Sequence, residues 1–357
     1  MLDNPQPTAL HRLPAPAHGP THRTGSPALR RWGPIAVLVV LLALVPLLSQ
    51  ALGQPFLIRV FTRVVVFAIA AVSLNLVLGV AGLVSVMHAA LFGIGGYVVA
   101  ILASHATTPI VTWPFAIHGT AELALSVPAA ILGSALAAAL FGLIALRTAG
   151  AYFIMITLAF NQMLFYFFVS LERYGGEEGL QVTETLRLAG MPLGGRTPVY
   201  FLCLAVLLAV LVFGVRLVDS RFGMVIRAAN GNDRRVAAVG IAPLPYRLAV
   251  FVITGAVAGL AGALLAVSQE FISPADMSWV RSGDLIVMVV LGGMATVWGP
   301  AVGAAVFLLL ELTLSALTIH WQLPFGIIII LLVVFLRDGL ADLIGTLRGK
   351  AGGHSHD

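Results

Sequence analysis

A succession of apolar runs, each close to the length of a membrane crossing, constrains this chain more than any other feature. The runs lie at roughly 34–52, 64–80, 86–103, 125–146, 149–170, 199–217, 247–268, 284–298, 300–319 and 323–336. A helix needs about 20 apolar residues to cross a hydrocarbon layer of ~30 Å. Runs 284–298 and 323–336 are short and suit tilted or re-entrant pieces. Only 10% of the residues are charged, against about 25% in soluble domains, so a large soluble core is ruled out. The short alternating segments of a membrane β-barrel are missing. The pattern predicts an all-α, polytopic helical membrane protein with about 8–10 transmembrane helices.

Residues 1–33, rich in Pro, His and Arg, read as a disordered tail, and 346–357 as a flexible one. Between them, 34–345 forms the membrane domain. Basic residues collect on the side that holds both tails, including Arg147, Arg216, Arg221, Arg227, Arg234, Arg235, Arg247 and Arg337. Positive residues mark the cytoplasmic side of a membrane protein. Both termini are therefore expected in the cytoplasm of a multi-pass protein. Arg59 and Arg63 fit this layout poorly, falling at the outer end of the second span. The net charge of +5 is explained by this asymmetry and does not call for nucleic acid. Residues 171–198 are expected outside and 218–246 inside.

The segment Gly82-Leu-Val-Ser85-Val-Met87-His88-Ala-Ala-Leu-Phe-Gly93-Ile-Gly95-Gly96-Tyr97 is unlike a lipid-facing span. Small residues let helices approach closely, or let a helix break where it lines a cavity. Polar residues inside spans are Asn75, His88, Asn161 and Gln162, and each needs a hydrogen-bond partner in hydrocarbon. They serve as interhelical glue or line a solute path. The pairs Gly255/Gly259 and Gly299/Gly303 have the spacing of close helix crossings. Glu311 is the one ionisable residue read as lying well inside a span, where such a group is a candidate for function.

No nucleotide-binding loop of the form GxxxxGK[ST] is present, because Gly93-Ile-Gly95-Gly96 lacks the Lys. No HExxH, paired cysteine ligands or grouped Ser, His and Asp point to an enzyme or a metal site. Cys203 lies in an apolar run and reads as a structural thiol. The chain therefore looks like a membrane scaffold with no energy source of its own.

Several blocks in order resemble the LivM-type permeases of branched-chain amino acid ABC importers. They are Ser73-Leu-Asn75-Leu-Val-Leu-Gly79 with the 82–97 segment, Gly150-Ala-Tyr152-Phe153, Gly175-Gly176-Glu-Glu-Gly179-Leu180, and Val290-Leu-Gly292-Gly293-Met-Ala-Thr-Val-Trp298-Gly-Pro300. The loop block Gly223-Met-Val-Ile-Arg227 through Arg235-Val-Ala-Ala-Val-Gly240-Ile241 is similar to the family's ATPase-contacting loop. The sequence departs from the family at Met87, where Gly is usual, and at Gly231 and Arg234, where acidic residues are common.

The resemblance implies an ABC importer permease fold in a bacterial inner membrane, moving Leu-, Ile- or Val-like amino acids. It implies a LivH-type second permease, two ABC ATPases that bind the ATP, and a periplasmic substrate-binding protein. This chain would hold no cofactor and catalyse no covalent chemistry, and would touch only solute, lipid and partner proteins. Coupling to the ATPases falls to Arg227, Ala228, Ala229, Asn232, Asp233, Arg235, Gly240 and Ile241, read as one short helix with Val236, Ala237 and Val239 on its apolar face. Candidates for the path or for helix packing are Asn75, Ser85, His88, Gly93, Gly95, Gly96, Tyr97, Asn161 and Gln162. Related permeases carry urea, amides or other small organic solutes. An ion-coupled secondary transporter using Glu311 is the alternative from another class.

Overall fold

The computed structural model describes residues 27–335, apart from 108–109, 113–114, 118, 183–186, 189–190 and 193–194, together with residue 340. Most of both expected tails lies outside the described residues. Helix α1 begins at Pro27, within the last residues assigned to the N-terminal tail.

The described helices are α1 (Pro27–Ala51), α2 (Phe56–Asn75), α3 (His88–Thr107), α4 (Leu123–Ala145), α5 (Ala151–Val169), α6 (Arg196–Asp219), α7 (Arg221–Gly231), α8 (Asp233–Ala238), α9 (Pro243–Gln269), α10 (Trp279–Gly292), α11 (Gly299–Leu317) and α12 (Gln322–Phe335). Eight are long and apolar enough to cross a membrane. Helices α10 and α12 have 14 residues each, or about 21 Å of rise, and do not reach across a full hydrocarbon layer. Strand is confined to pieces of two or three residues. The protein is a polytopic helical membrane protein.

Helices α3 and α9 form the centre, and small residues bring them together. A Cβ placed on Gly95 would strike the backbone of Gly259, and one on Gly262 would strike the carbonyl of Phe92. The GxxxG pair on α9 faces α4 instead: Gly255 lies against Ala138 and Gly259 against Ser134. Ser134 Oγ also donates to the Leu91 carbonyl at 3.0 Å. Gly303 lies against the Met288 carbonyl and closes the crossing of α10 and α11. Close backbone approach of this kind replaces the hydrophobic drive that lipid cannot supply.

Lipid-type surface lies elsewhere. Helix α4 exposes Leu125, Leu132, Leu136 and Leu140, and no residue of α12 is fully buried.

Two departures from regular helix shape the interior. Helix α2 runs through a π-helical turn, Leu76–Val80, into an irregular segment that ends where α3 starts at His88. In that segment Ala81, Ser85 and Met87 are fully buried. Irregular backbone at membrane depth is tolerated only where protein or an aqueous cavity surrounds it.

The second departure follows α9. Glu270 takes a left-handed conformation with φ 55° and turns the chain back. Phe271–Ile272 then pairs antiparallel with Leu180–Gln181. A turn of 3-10 helix, Pro274–Met277, follows and leads into α10. Met277 fills the space beside Gly93. Helix α10 therefore starts with Ser282 packed against the first turn of α3, while Trp279 and Val280 face outward.

Candidate functional site

Helix α3 begins inside the protein, so its first backbone N–H groups have no solvent to bond. Side chains from other helices cap them. Ala89 N–H donates to Ser282 Oγ of α10 at 3.1 Å. Ala90 N–H donates to Asn161 Oδ1 of α5 at 3.1 Å, and Asn161 Nδ2 donates to the Met277 carbonyl at 2.9 Å. Val86 N–H reaches Thr157 Oγ1 at 3.3 Å. Ser282 Oγ also donates to the Val86 carbonyl. Ser85 Oγ faces His88 Nδ1 at 3.3 Å.

Of the two roles open to these candidates, the geometry favours packing for most. Asn161 and Ser85 are enclosed and bonded. Gly93, Gly95 and Gly96 lie against Met277, Gly259 and Ile272. Asn75 Nδ2 donates to the Thr296 carbonyl at 3.0 Å and ties α2 to the turn before α11. Four buried polar atoms of these candidates have no partner among the described residues: Asn75 Oδ1, His88 Nε2, Tyr97 Oη and Gln162 Oε1. Met87 is fully buried, so the volume of its side chain is part of the packing beside His88.

The Gly175-Gly176-Glu-Glu-Gly179-Leu block has a structural reason. All three glycines have positive φ, at 88°, 50° and 91°. A Cβ on Gly179 would stand 2.5 Å from the Ile272 carbonyl. The motif lets this loop lie flat on the Phe271–Ile272 strand and hold the returning segment.

The coupling candidates, read as one short helix, form two. Helix α7 ends at Gly231, and Asn232 starts α8 by accepting from the N–H groups of Arg234 and Arg235 at 3.0 and 3.2 Å. The break follows from Asn232, which bonds the backbone ahead of it as an N-cap and cannot continue α7. Gly223, Ile226 and Ala229 of α7 face inward, as does Val236 of α8, whereas Ala237 and Val239 of the expected apolar face are exposed. Arg227, Ala228 and Arg235 are exposed, and Gly240, at φ 84°, precedes Ile241 in the turn to α9.

This corner is fastened to the bundle. Arg227 donates to the Val218 carbonyl at 2.9 Å. Arg247 of α9 pairs with Asp233 at 2.8 Å and donates to the Ala229 carbonyl at 3.3 Å. Asn230 Nδ2 donates to the Val80 carbonyl at 3.3 Å. The corner thus reaches the broken α2–α3 connection directly.

A second group of charges lies in the bundle. Arg63 of α2 pairs with Glu311 of α11 at 3.5 Å. Arg281 of α10 pairs with Asp276 at 3.6 Å and Asp284 at 3.3 Å. Both guanidinium groups lie over the Phe67 ring, at 5.6 and 5.4 Å from its centroid. Two readings from sequence are corrected here. Helix α2 starts at Phe56, so Arg63 belongs to a span and not to its outer end. Glu311 is consequently not alone among the charges inside spans.

The family model for the branched-chain amino acid transport system permease component matches residues 56–336. The chain is 25% identical over 328 residues to the high-affinity branched-chain amino acid transport system permease protein LivM of Salmonella typhimurium, covering 84% of this chain and 74% of that protein. It is 26% identical to LivM of Escherichia coli over the same shares. No solved structure matches. The match spans α2 through α12, including the corner, the capped start of α3 and the charge group, and the chain belongs to this family of transport-system permease components.

Proposed function

We propose that this chain is one of two membrane subunits of an ABC importer in a bacterial inner membrane, with both termini in the cytoplasm. Its solute is a branched-chain amino acid, and urea, amides or other small organic solutes are the competing assignments. The LivM relatives support the amino acid. The partners are a LivH-type permease, two ATPases and a periplasmic binding protein.

The observation that carries this reading is the α7–α8 corner. It presents exposed Met224 and Val239 among Arg227, Arg234 and Arg235. It is also bonded to the broken connection between α2 and α3, through Asn230 and Val80. A soluble subunit that grips the corner can move the α2–α3 connection as a rigid lever. ATP hydrolysis resides in that subunit.

Co-purification tests the reading. The tagged chain is expressed with candidate ABC ATPase subunits, with and without residues 218–246 replaced by a neutral linker. Capture of the ATPases that depends on the loop is the expected result. A stably inserted chain that captures no ATPase in the presence of the partners would remove the ABC assignment and favour an ion-coupled carrier.

A further inference from the structure

The charges of Arg63, Arg281, Asp276, Asp284 and Glu311 form one group drawn from four segments. Arg281 is held between two carboxylates, those of Asp276 and Asp284. That half of the group explains itself as a brace for α10. The other half is unfinished. Arg63 and Glu311 meet only at 3.5 Å, with 37% and 21% of their side-chain surfaces open. Glu311 Oε2 has no partner among the described residues. Tyr97 is 1% exposed, and its hydroxyl has no partner among the described residues.

Partly open charges inside a span do not face lipid, because hydrocarbon leaves them unsolvated. They face a partner protein or a watered path. A loose acid–base pair with a spare carboxylate oxygen, set beside an aromatic ring, has the complementary groups for an α-amino acid. A guanidinium takes the α-carboxylate and a carboxylate takes the α-ammonium. The Phe67 ring lies beside the Arg63 guanidinium, its centroid 5.6 Å away.

We propose that Arg63 and Glu311 form a binding station for the zwitterionic head of the transported amino acid, entered by parting the ion pair between α2 and α11. Arg281 braces Asp276 and Asp284 without touching solute. The proposal rests on the importer reading above and names the contacts that reading leaves open.

The test uses the full complex of both permeases and the ATPases in proteoliposomes, with the binding protein and radiolabelled L-leucine. Assembly and ATP hydrolysis are measured alongside uptake. Glu311→Gln and Arg63→Gln are each expected to lower uptake by about tenfold or more, the worth of one charge-assisted hydrogen bond, while the complex stays assembled. Glu311→Asp should keep most of the uptake.

The exchange Arg63→Glu with Glu311→Arg separates a site from a brace. It rebuilds the ion pair with its charges transposed, so a merely structural pair would regain uptake and a site for an oriented zwitterion would not. Uptake restored by the exchange, or unchanged in either neutral variant, overturns the station. Loss of the second permease from all the variants would also overturn it and make the pair a subunit contact. A wild-type complex that moves no L-leucine refutes the substrate assignment first, and the station with it. If the neutral variants fail to assemble, the exchange variant decides.

Discussion

Asn230 of α7 donates to the Val80 carbonyl across 150 positions of sequence, at 3.3 Å, and beside that bond Gly82 turns with φ 68°. A Cβ on Gly82 would collide with the Asn230 side chain. The contact joins the exposed corner to the interior break, so each can be probed by disturbing the other.

Gly82→Ala should therefore act twice. The left-handed backbone costs about 1–2 kcal/mol with a Cβ present, and the methyl group pushes Asn230 away. Leucine uptake by the complex should fall by about tenfold, with ATPase subunits still bound. Asn230→Ala should reproduce the uptake loss without the backbone strain, seen as a smaller drop in thermal stability.

Asn161 is expected to be a stability residue. Asn161→Leu leaves the Ala90 N–H and the Met277 carbonyl without partners, and a buried orphan group costs about 1–3 kcal/mol. Gln162→Leu, one position on, breaks no hydrogen bond among the described residues and frees an already unpartnered Oε1 from burial. Thermal unfolding in detergent should show a clear fall for the first and little change for the second. Equal effects would contradict the capping role.

Gly95→Val tests the central crossing. The added atoms would meet the Gly259 backbone, which has no side chain to move aside. Overpacking typically costs about 1–3 kcal/mol, and backbone contact places this case at the upper end. Yield of folded, membrane-inserted protein should drop sharply. Gly231→Ala, where nothing lies within 4 Å of the new atom, should be neutral in the same assay.

How far the sequence reveals these features follows from the distance between the interacting groups. Long apolar runs are local, and the eight long spans appear near where their composition puts them. Helix α10 is displaced toward the N-terminus, to Trp279–Gly292 from an expected 284–298. Its first turns hold Arg281 and Ser282, which lie ahead of the expected run, and Asp284, which stands at its first position. The Arg63–Glu311 pair closes over 248 positions, and the caps on α3 come from α5 and α10. No periodicity in one chain records such pairings. The break at Asn232 was legible, since an Asn followed by Asp is a helix-start signal, but the apolar periodicity across it suggested one helix.

The corner's arginines differ in what holds them, and this sets the last prediction. Arg227 is exposed yet spends a hydrogen bond on Val218, at the join of α6 and α7. Arg235 is exposed and forms no ion pair among the described residues; only its backbone N–H is bonded, to Asn232. Arg235→Glu should therefore leave thermal stability unchanged, because exposed charges contribute about 0–1 kcal/mol to folding. Its effect should fall on the docked complex, as weaker ATPase capture that worsens with the reversed charge and lessens in high salt. Arg227→Glu should weaken capture too, with a stability loss of about 1 kcal/mol from the freed carbonyl. Capture by the double variant that equals wild type at low salt would show that neither arginine faces the ATPase, and would move the docking surface toward Met224 and Val239.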